Sequence, residues 1–413
     1  MQFLPPGTHR DASLLITTRG IRGFVDGLVS LSITALLPLL GFSGLQVGIV
    51  VTGMLLGSAA MTVLVGTTAH GVPRRTLLFA GSGLMMTTGV MFGLTTSFAV
   101  LLVVGVIGTL NPTAGDVSVF LPLEQSMLAS TTSATSRTAL YARYTFVGGI
   151  AGAMGALAVR IPERIAARTW VTETAAFRWC FAVYALAGVA MFLLYRSLDS
   201  VRSVTQGTVA APLGKSRQVV FKLAALFSLD AFGGGFVVQS MLALWLFRRF
   251  DLSVGAAGTL LFVTGTLSAA SGFVASWLAS RIGLVRTMVF THLPANCFLI
   301  AAAFMPSMPL AVCMLVVRSL LSSMDVPART SYVMAVVSPE ERAAAASVTN
   351  VPRSLAAALP PTAAGWMLDH TTFGWPLVIA GTAKIAYDLL LLRQFRHVRP
   401  EEELAGAAAQ RDR

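Results

Sequence analysis

Charge is what this sequence has least of. Lys, Arg, Asp and Glu together make up 12% of its 413 residues, about half of the roughly 25% usual in soluble domains. A soluble enzyme and a disordered chain are both excluded by that scarcity. Cysteine is almost missing too: Cys180, Cys297 and Cys313 are an odd count with no CxxC spacing. All three sit in apolar runs and read as small buried hydrophobes, which excludes a disulfide scaffold or a thiolate metal site. No GxxxxGK[ST] loop occurs, so neither a nucleotide nor any other cofactor is expected. Prolines interrupt the first residues (MQFLPPGTHRDASLL) where a signal peptide needs an apolar stretch, so no cleavage is expected.

What remains is apolar. Hydrophobic residues are 55% of the chain and the mean hydropathy is +0.74. About 20 such residues cross a bilayer as one helix. Twelve spans can be drawn: 23–42, 45–66, 77–95, 98–122, 138–159, 177–195, 219–247, 255–279, 287–305, 309–337, 343–368 and 375–393. Lipid offers backbone groups no partners, so each must be helical. Ser43-Gly44-Leu45-Gln46 has the spacing of a capping box opening span 2. Ser338-Pro339-Glu340-Glu341 supplies a cap, a first-turn proline and acids for span 11.

The net charge of +12 is scattered between apolar runs. It fits the positive-inside bias of membrane loops better than a nucleic-acid surface, and no nucleic-acid partner is expected. With both termini in the cytoplasm, inside segments hold 19 Lys/Arg and outside loops 6. Arg160, Arg164, Arg168 and Arg178, between spans 5 and 6, run against that bias. A basic polar stretch centred on 196–218 separates a bundle at 1–195 from one at 219–393, and 394–413 is a cytoplasmic tail.

The halves repeat at an offset of about 210: Ser43 with Ser253, Gly48 with Gly258, Arg143 with Arg353, Gly155 with Gly365, and Asp116 with Asp325 one residue out of register. Asp26 matches Asp230 at offset 204. A parallel six-plus-six repeat is a transporter architecture, with the substrate site where the repeats meet.

With these features the chain resembles the major facilitator superfamily over nearly its full length. That family's loop after span 2 reads G-x-x-x-D-R-x-G-R-R. Here Gly66, Arg74 and Arg75 are kept, while His70 replaces the acid and Pro73 the second glycine. The equivalent loop after span 8, Ser276 to Gly283, also lacks the acid. Gly148, Gly149, Gly152 and Gly155 in span 5 are similar to the antiporter motif, without its Gly-Pro step. Close helix packing accounts for the same row of small residues. The resemblance implies an all-α polytopic fold of twelve helices, and not an enzyme.

Among the ionisable residues inside the spans, ten stand out: Asp26, Asp116, Asp230, Asp325, Asp388, Arg143, Arg318, Arg329, Arg353 and Lys384. At a helix centre each costs about 2.5–3.5 kcal/mol and needs a partner or a wet cavity. Asp325 with Arg329, Lys384 with Asp388, and Arg22 with Asp26 are four apart and share a helix face. Asp116 with Arg143, and Asp325 with Arg353, are expected to pair between helices, as packing clamps or gate latches. Asp230 has no basic residue within two turns and precedes Gly233-Gly234-Gly235. Asp230 and Asp26 are therefore the proton-coupling or substrate candidates, and Gln239, His292 and Asn296 join them as cavity candidates.

These readings converge on a secondary active transporter, proton-coupled and exporting a small organic or amphipathic compound. Export is carried by the resemblance alone. The alternative is an importer or uniporter of a polar or anionic metabolite, with intramembrane arginines as ligands. A minor alternative is a non-transporting sensor on the same fold. The expected setting is a monomer in the lipid bilayer of a bacterial cytoplasmic membrane, with a small-molecule substrate and protons as partners.

Overall fold

The computed structural model describes residues 4, 8–68, 72–113, 119–128, 130–132, 134–198, 213–214, 216–338 and 341–395. Among them the only regular elements are seventeen helices. The first half holds α1 (Arg10–Leu39), α2 (Gly44–Thr68), α3 (Arg74–Leu94), α4 (Phe98–Ile107), α5 (Phe120–Leu128), α6 (Ala134–Ala158), α7 (Arg160–Arg168) and α8 (Glu173–Arg196). The second holds α9 (Arg217–Phe236), α10 (Gln239–Phe250), α11 (Val254–Ile282), α12 (Leu284–Phe304), α13 (Met308–Leu321), α14 (Asp325–Ala335), α15 (Arg342–Ala358), α16 (Pro360–His370) and α17 (Trp375–Phe395). Ten stretches are long and apolar enough to cross a membrane, and α4 is a shorter apolar helix.

Several expected spans are broken rather than continuous. Span 7 divides at Val237 and Val238 into α9 and α10, directly after the three glycines. Span 10 divides at 322–324, so Asp325 opens α14, where an acid meets the positive end of the helix. Span 11 divides at Leu359, before Pro360 and Pro361. The α2 capping box forms as expected: the Gln46 N–H donates to Ser43 Oγ at 3.2 Å, and the Ser43 N–H to Gln46 Oε1 at 2.9 Å. The start expected at Ser338-Pro339-Glu340-Glu341 falls partly outside the described residues, which omit Pro339 and Glu340, and α15 is described from Arg342. Glu341 accepts the Gly214 N–H at 2.9 Å and the Ser216 N–H at 3.3 Å, serving the start of α9. Of the cysteines only Cys180 is buried; Cys297 and Cys313 face outward from α12 and α13, where apolar helices need no polar coat.

Packing repeats from half to half. In the first, α1 lies against α6 and α8, and α3 against α8. In the second, α9 lies against α15 and α17, and α12 against α17. The span-5 glycines serve this contact. A Cβ on Gly155 would stand 1.8 Å from Phe24 O, and one on Gly27 2.0 Å from Gly152 O, so the backbones of α1 and α6 touch.

The chain forms two compact units. One comprises 1–206, 238–266 and 361–372; the other 207–237, 267–360 and 373–413. Within the first unit, α10 and α16 pack on first-half helices. Thr34 donates to Ser240 O at 3.3 Å, and Thr362 to Thr52 Oγ1 at 2.8 Å. A Cβ on Gly48 would meet Pro361 O at 2.3 Å. The anomalous arginines 160, 164 and 168 belong to α7, a nine-residue helix with an apolar and a basic face.

Candidate functional site

The second unit gathers charged residues from four of its helices. Asp230 is buried on α9. Its carboxylate accepts from Lys384 Nζ of α17 at 2.6 Å and from Arg329 Nη1 of α14 at 3.1 Å. His292 Nε2 of α12 stands 3.7 Å from the same carboxylate. The other ring nitrogen, Nδ1, lies 3.0 Å from Asp388 Oδ1 on α17. Asn296 Nδ2, one turn from His292, donates to Asp388 Oδ2 at 3.2 Å. Arg329 also reaches Asp325 Oδ2 at 3.3 Å and lies over the Phe227 ring at 5.5 Å.

Close backbone approach builds this cluster. A Cβ on Gly233 would stand 2.9 Å from Ala380 O, and one on Gly235 2.4 Å from Ala357 O. Gly233 and Gly235 therefore bring α9 against α17 and α15, and Asp230 within reach of Lys384. His292 spans Asp230 and Asp388, one ring nitrogen toward each. An imidazole so placed can take a proton at one nitrogen and give one up at the other.

Several expectations are corrected here. Asp230 is not a lone acid; its cations come from other helices, which a search along α9 could not reveal. Lys384 and Asp388 do not pair with each other, because Lys384 is drawn to Asp230 and Asp388 to His292. Asp325 pairs with Arg329, as its spacing indicates, and among the described residues no ion pair joins it to Arg353. The break at 322–324 places Asp325 in the first turn of α14, facing its own helix partner.

In the first unit, Asp26 is buried on α1 within electrostatic reach of Tyr184. Arg22 turns from it to Glu124 Oε2 at 2.7 Å and to Tyr144 Oη at 3.0 Å. Glu124 is fully buried on α5 and accepts from Thr18 at 2.7 Å, from Tyr195 at 2.6 Å and from Tyr144. The sequence reading missed Glu124, whose position two residues beyond the drawn end of span 4 made it look like loop. Gln239 opens α10 and faces Ser30 Oγ at 3.4 Å. Arg143 lies on α6; its expected partner Asp116 is outside the described residues. So is His70. Gly66 lies near the end of α2 and Arg74 opens α3. Arg75 donates to Arg196 O and lies 5.4 Å over the Phe79 ring.

A second cluster, also unforeseen, closes one end of the first unit. Asp369, just past the drawn end of span 11, accepts the Gly44 and Leu45 N–H groups at 2.7 Å each and Arg248 Nη1 at 2.7 Å. Partial burial opposes its charge, but donation from Leu45, Arg248 and Gly44 outweighs burial and holds the carboxyl below the usual carboxylate range.

Comparison with known proteins bears on the whole chain. A yeast relative, the uncharacterized membrane protein YJR124C of Saccharomyces cerevisiae, is 24% identical over 94% of both chains. The nucleoside transporter NupG superposes with a TM-score of 0.73 at 14% identity, covering 94% of this chain and 100% of its own. A bacterial homolog of the human lysosomal transporter Spinster, in an inward-facing unoccupied state, gives 0.67 at 18% identity over 97% of both chains. The family model described as Major Facilitator Superfamily matches residues 15–359 and again 232–412, and by that full-length match this multi-pass, transporter-folded chain belongs to the Major Facilitator Superfamily.

Proposed function

We propose that the protein is a proton-coupled secondary active transporter of a small organic compound, with coupling seated in the second unit. The observation that carries this is His292 between two carboxylates, 3.7 Å from Asp230 and 3.0 Å from Asp388. Protonating the imidazole changes the charge of a buried cluster by one. Any conformational step that alters those distances is then linked to proton uptake or release. Asp230, held by Lys384 and Arg329, is the fixed anion of the cluster, and His292 with Asp388 carries the proton. The span-5 glycines that suggested export are used in packing α1 on α6, so the proposal concerns coupling, and the assay itself reads direction.

In the same reading residues 1–195 and 219–393 are the two repeats, 196–218 is a cytoplasmic connection, and both termini are cytoplasmic. The protein works as a monomer in the bilayer. The test is reconstitution in vesicles containing a trapped pH dye, followed by addition of small organic compounds one at a time. A compound that evokes proton movement only when the protein is present supports the proposal. Solute flux that is indifferent to an imposed pH gradient contradicts it.

A further inference from the structure

Four basic side chains bear on Asp230: Lys384 and Arg329 touch it, and Arg318 and Arg353 feel its charge from farther off. Three carboxylates face them, and all three have partners. Asp230 is held by Lys384 and Arg329, Asp325 by Arg329, and Asp388 by His292 and Asn296. Arg318 on α13 and Arg353 on α15 have no ion pair or hydrogen bond among the described residues. Each has a buried Nε without a partner, although both side chains keep some accessible surface. Arg353 also feels the like charge of Arg329. Arg22 in the first unit also has a partnerless Nε, but Glu124 and Tyr144 meet its Nη2 and supply the counter-charge.

A guanidinium inside a membrane protein without a counter-charge is costly, and such groups mark ion or substrate pathways. Its planar fork of donors fits the oxygen pairs of carboxylates, phosphates and sulfonates. We propose that Arg318 and Arg353 are the substrate-recognising groups of the second unit, and that the transported compound is an organic anion which supplies the counter-charge they lack. This deepens the transporter reading and rests on it. The anion neutralises the surplus positive charge while bound. The proton on His292 then restores the cluster's balance when a second negative charge enters.

The test uses purified protein in lipid-free detergent, followed by heat unfolding. The probes are benzoate, succinate, benzenesulfonate and inorganic phosphate, with benzyl alcohol and benzylamine as uncharged and cationic controls. Phosphatidylglycerol is a separate arm, because its headgroup offers the same chemistry. At least one soluble anion is expected to raise the unfolding midpoint in a concentration-dependent way, while the alcohol and amine do not. Arg318→Met and Arg353→Met are each expected to weaken that anion by about 10–100-fold, the loss of a charged hydrogen bond. Without probe, both variants should unfold at or above the wild-type temperature, because each removes a charge that has no partner. Arg329→Met, which strips a partner from Asp230 and Asp325, should unfold lower.

The proposal is overturned if Arg318→Met and Arg353→Met fall as far as Arg329→Met, if no soluble anion shifts the midpoint, if benzylamine shifts it equally, or if phosphatidylglycerol alone does so. Solute-evoked proton movement lost in His292→Gln would leave the transporter reading standing through any of those failures.

Discussion

Lys384 donates a 2.6 Å hydrogen bond to Asp230 across 154 residues of sequence, joining the last membrane helix to the first of the second unit. Removing either partner leaves a buried charge, at a cost of about 3–5 kcal/mol. Lys384→Ala and Asp230→Asn should each lower the heat-unfolding midpoint in detergent. The double variant should lose less than the sum, because it leaves neither charge of the pair behind. Strictly additive losses would mean that the pair contributes nothing.

Asp369 gives a pH dependence. Its carboxyl is held below the usual carboxylate range, so the folded state binds the proton less readily than the unfolded chain. The stability it contributes is complete above the unfolded value near 4 and is lost as pH falls toward the folded value. The difference in unfolding temperature between wild type and Asp369→Asn should be constant above about pH 5 and shrink below about pH 4. A difference that grows on acidification contradicts the Gly44–Leu45–Arg248 clamp.

The α1–α6 contact separates two kinds of glycine. Gly155→Ala places a methyl group 1.8 Å from Phe24 O, and overpacking of this kind costs about 1–3 kcal/mol or more. On α3, a Cβ at Gly83 meets nothing within 4 Å, so Gly83→Ala should be neutral or gain up to about 1 kcal/mol from helix propensity. Unfolding temperatures of the two variants check this, and equal effects would contradict the close backbone approach.

The inferred topology has a direct readout. In a background without native cysteines, Ser203→Cys, in the connection at 196–218, should react with a membrane-impermeant maleimide only after cells are opened. Labelling of intact cells would reverse the charge-based orientation.

Fold and site were legible to different depths. Hydropathy and the half-to-half matches lead to the membrane helices and the repeated packing, because both are local properties of the chain. The Ser43–Gln46 cap and the Asp325–Arg329 pair were also legible, since each lies within one turn. What could not be read was pairing between helices. Asp230 looks solitary along α9, and its cations sit on α14 and α17; Lys384 and Asp388 look paired along α17, and each turns to another helix. Helix breaks at Leu359 and 322–324 were hidden by unbroken hydropathy, although Pro360, Pro361 and Pro327 stand beside them. Glu124 escaped because a span drawn two residues short made it a loop residue.

On the proposed mechanism His292, with Asp388, carries the coupling proton while Asp230 stays the fixed anion. The measurement that bears on it most directly is proton movement evoked by a transported anion in dye-loaded vesicles, comparing wild type with His292→Gln. Glutamine keeps a hydrogen bond to Asp388 within reach but cannot take the proton. The account predicts that His292→Gln still exchanges solute for solute while moving no protons and building no gradient. Solute-evoked proton movement at the wild-type rate in His292→Gln would contradict it.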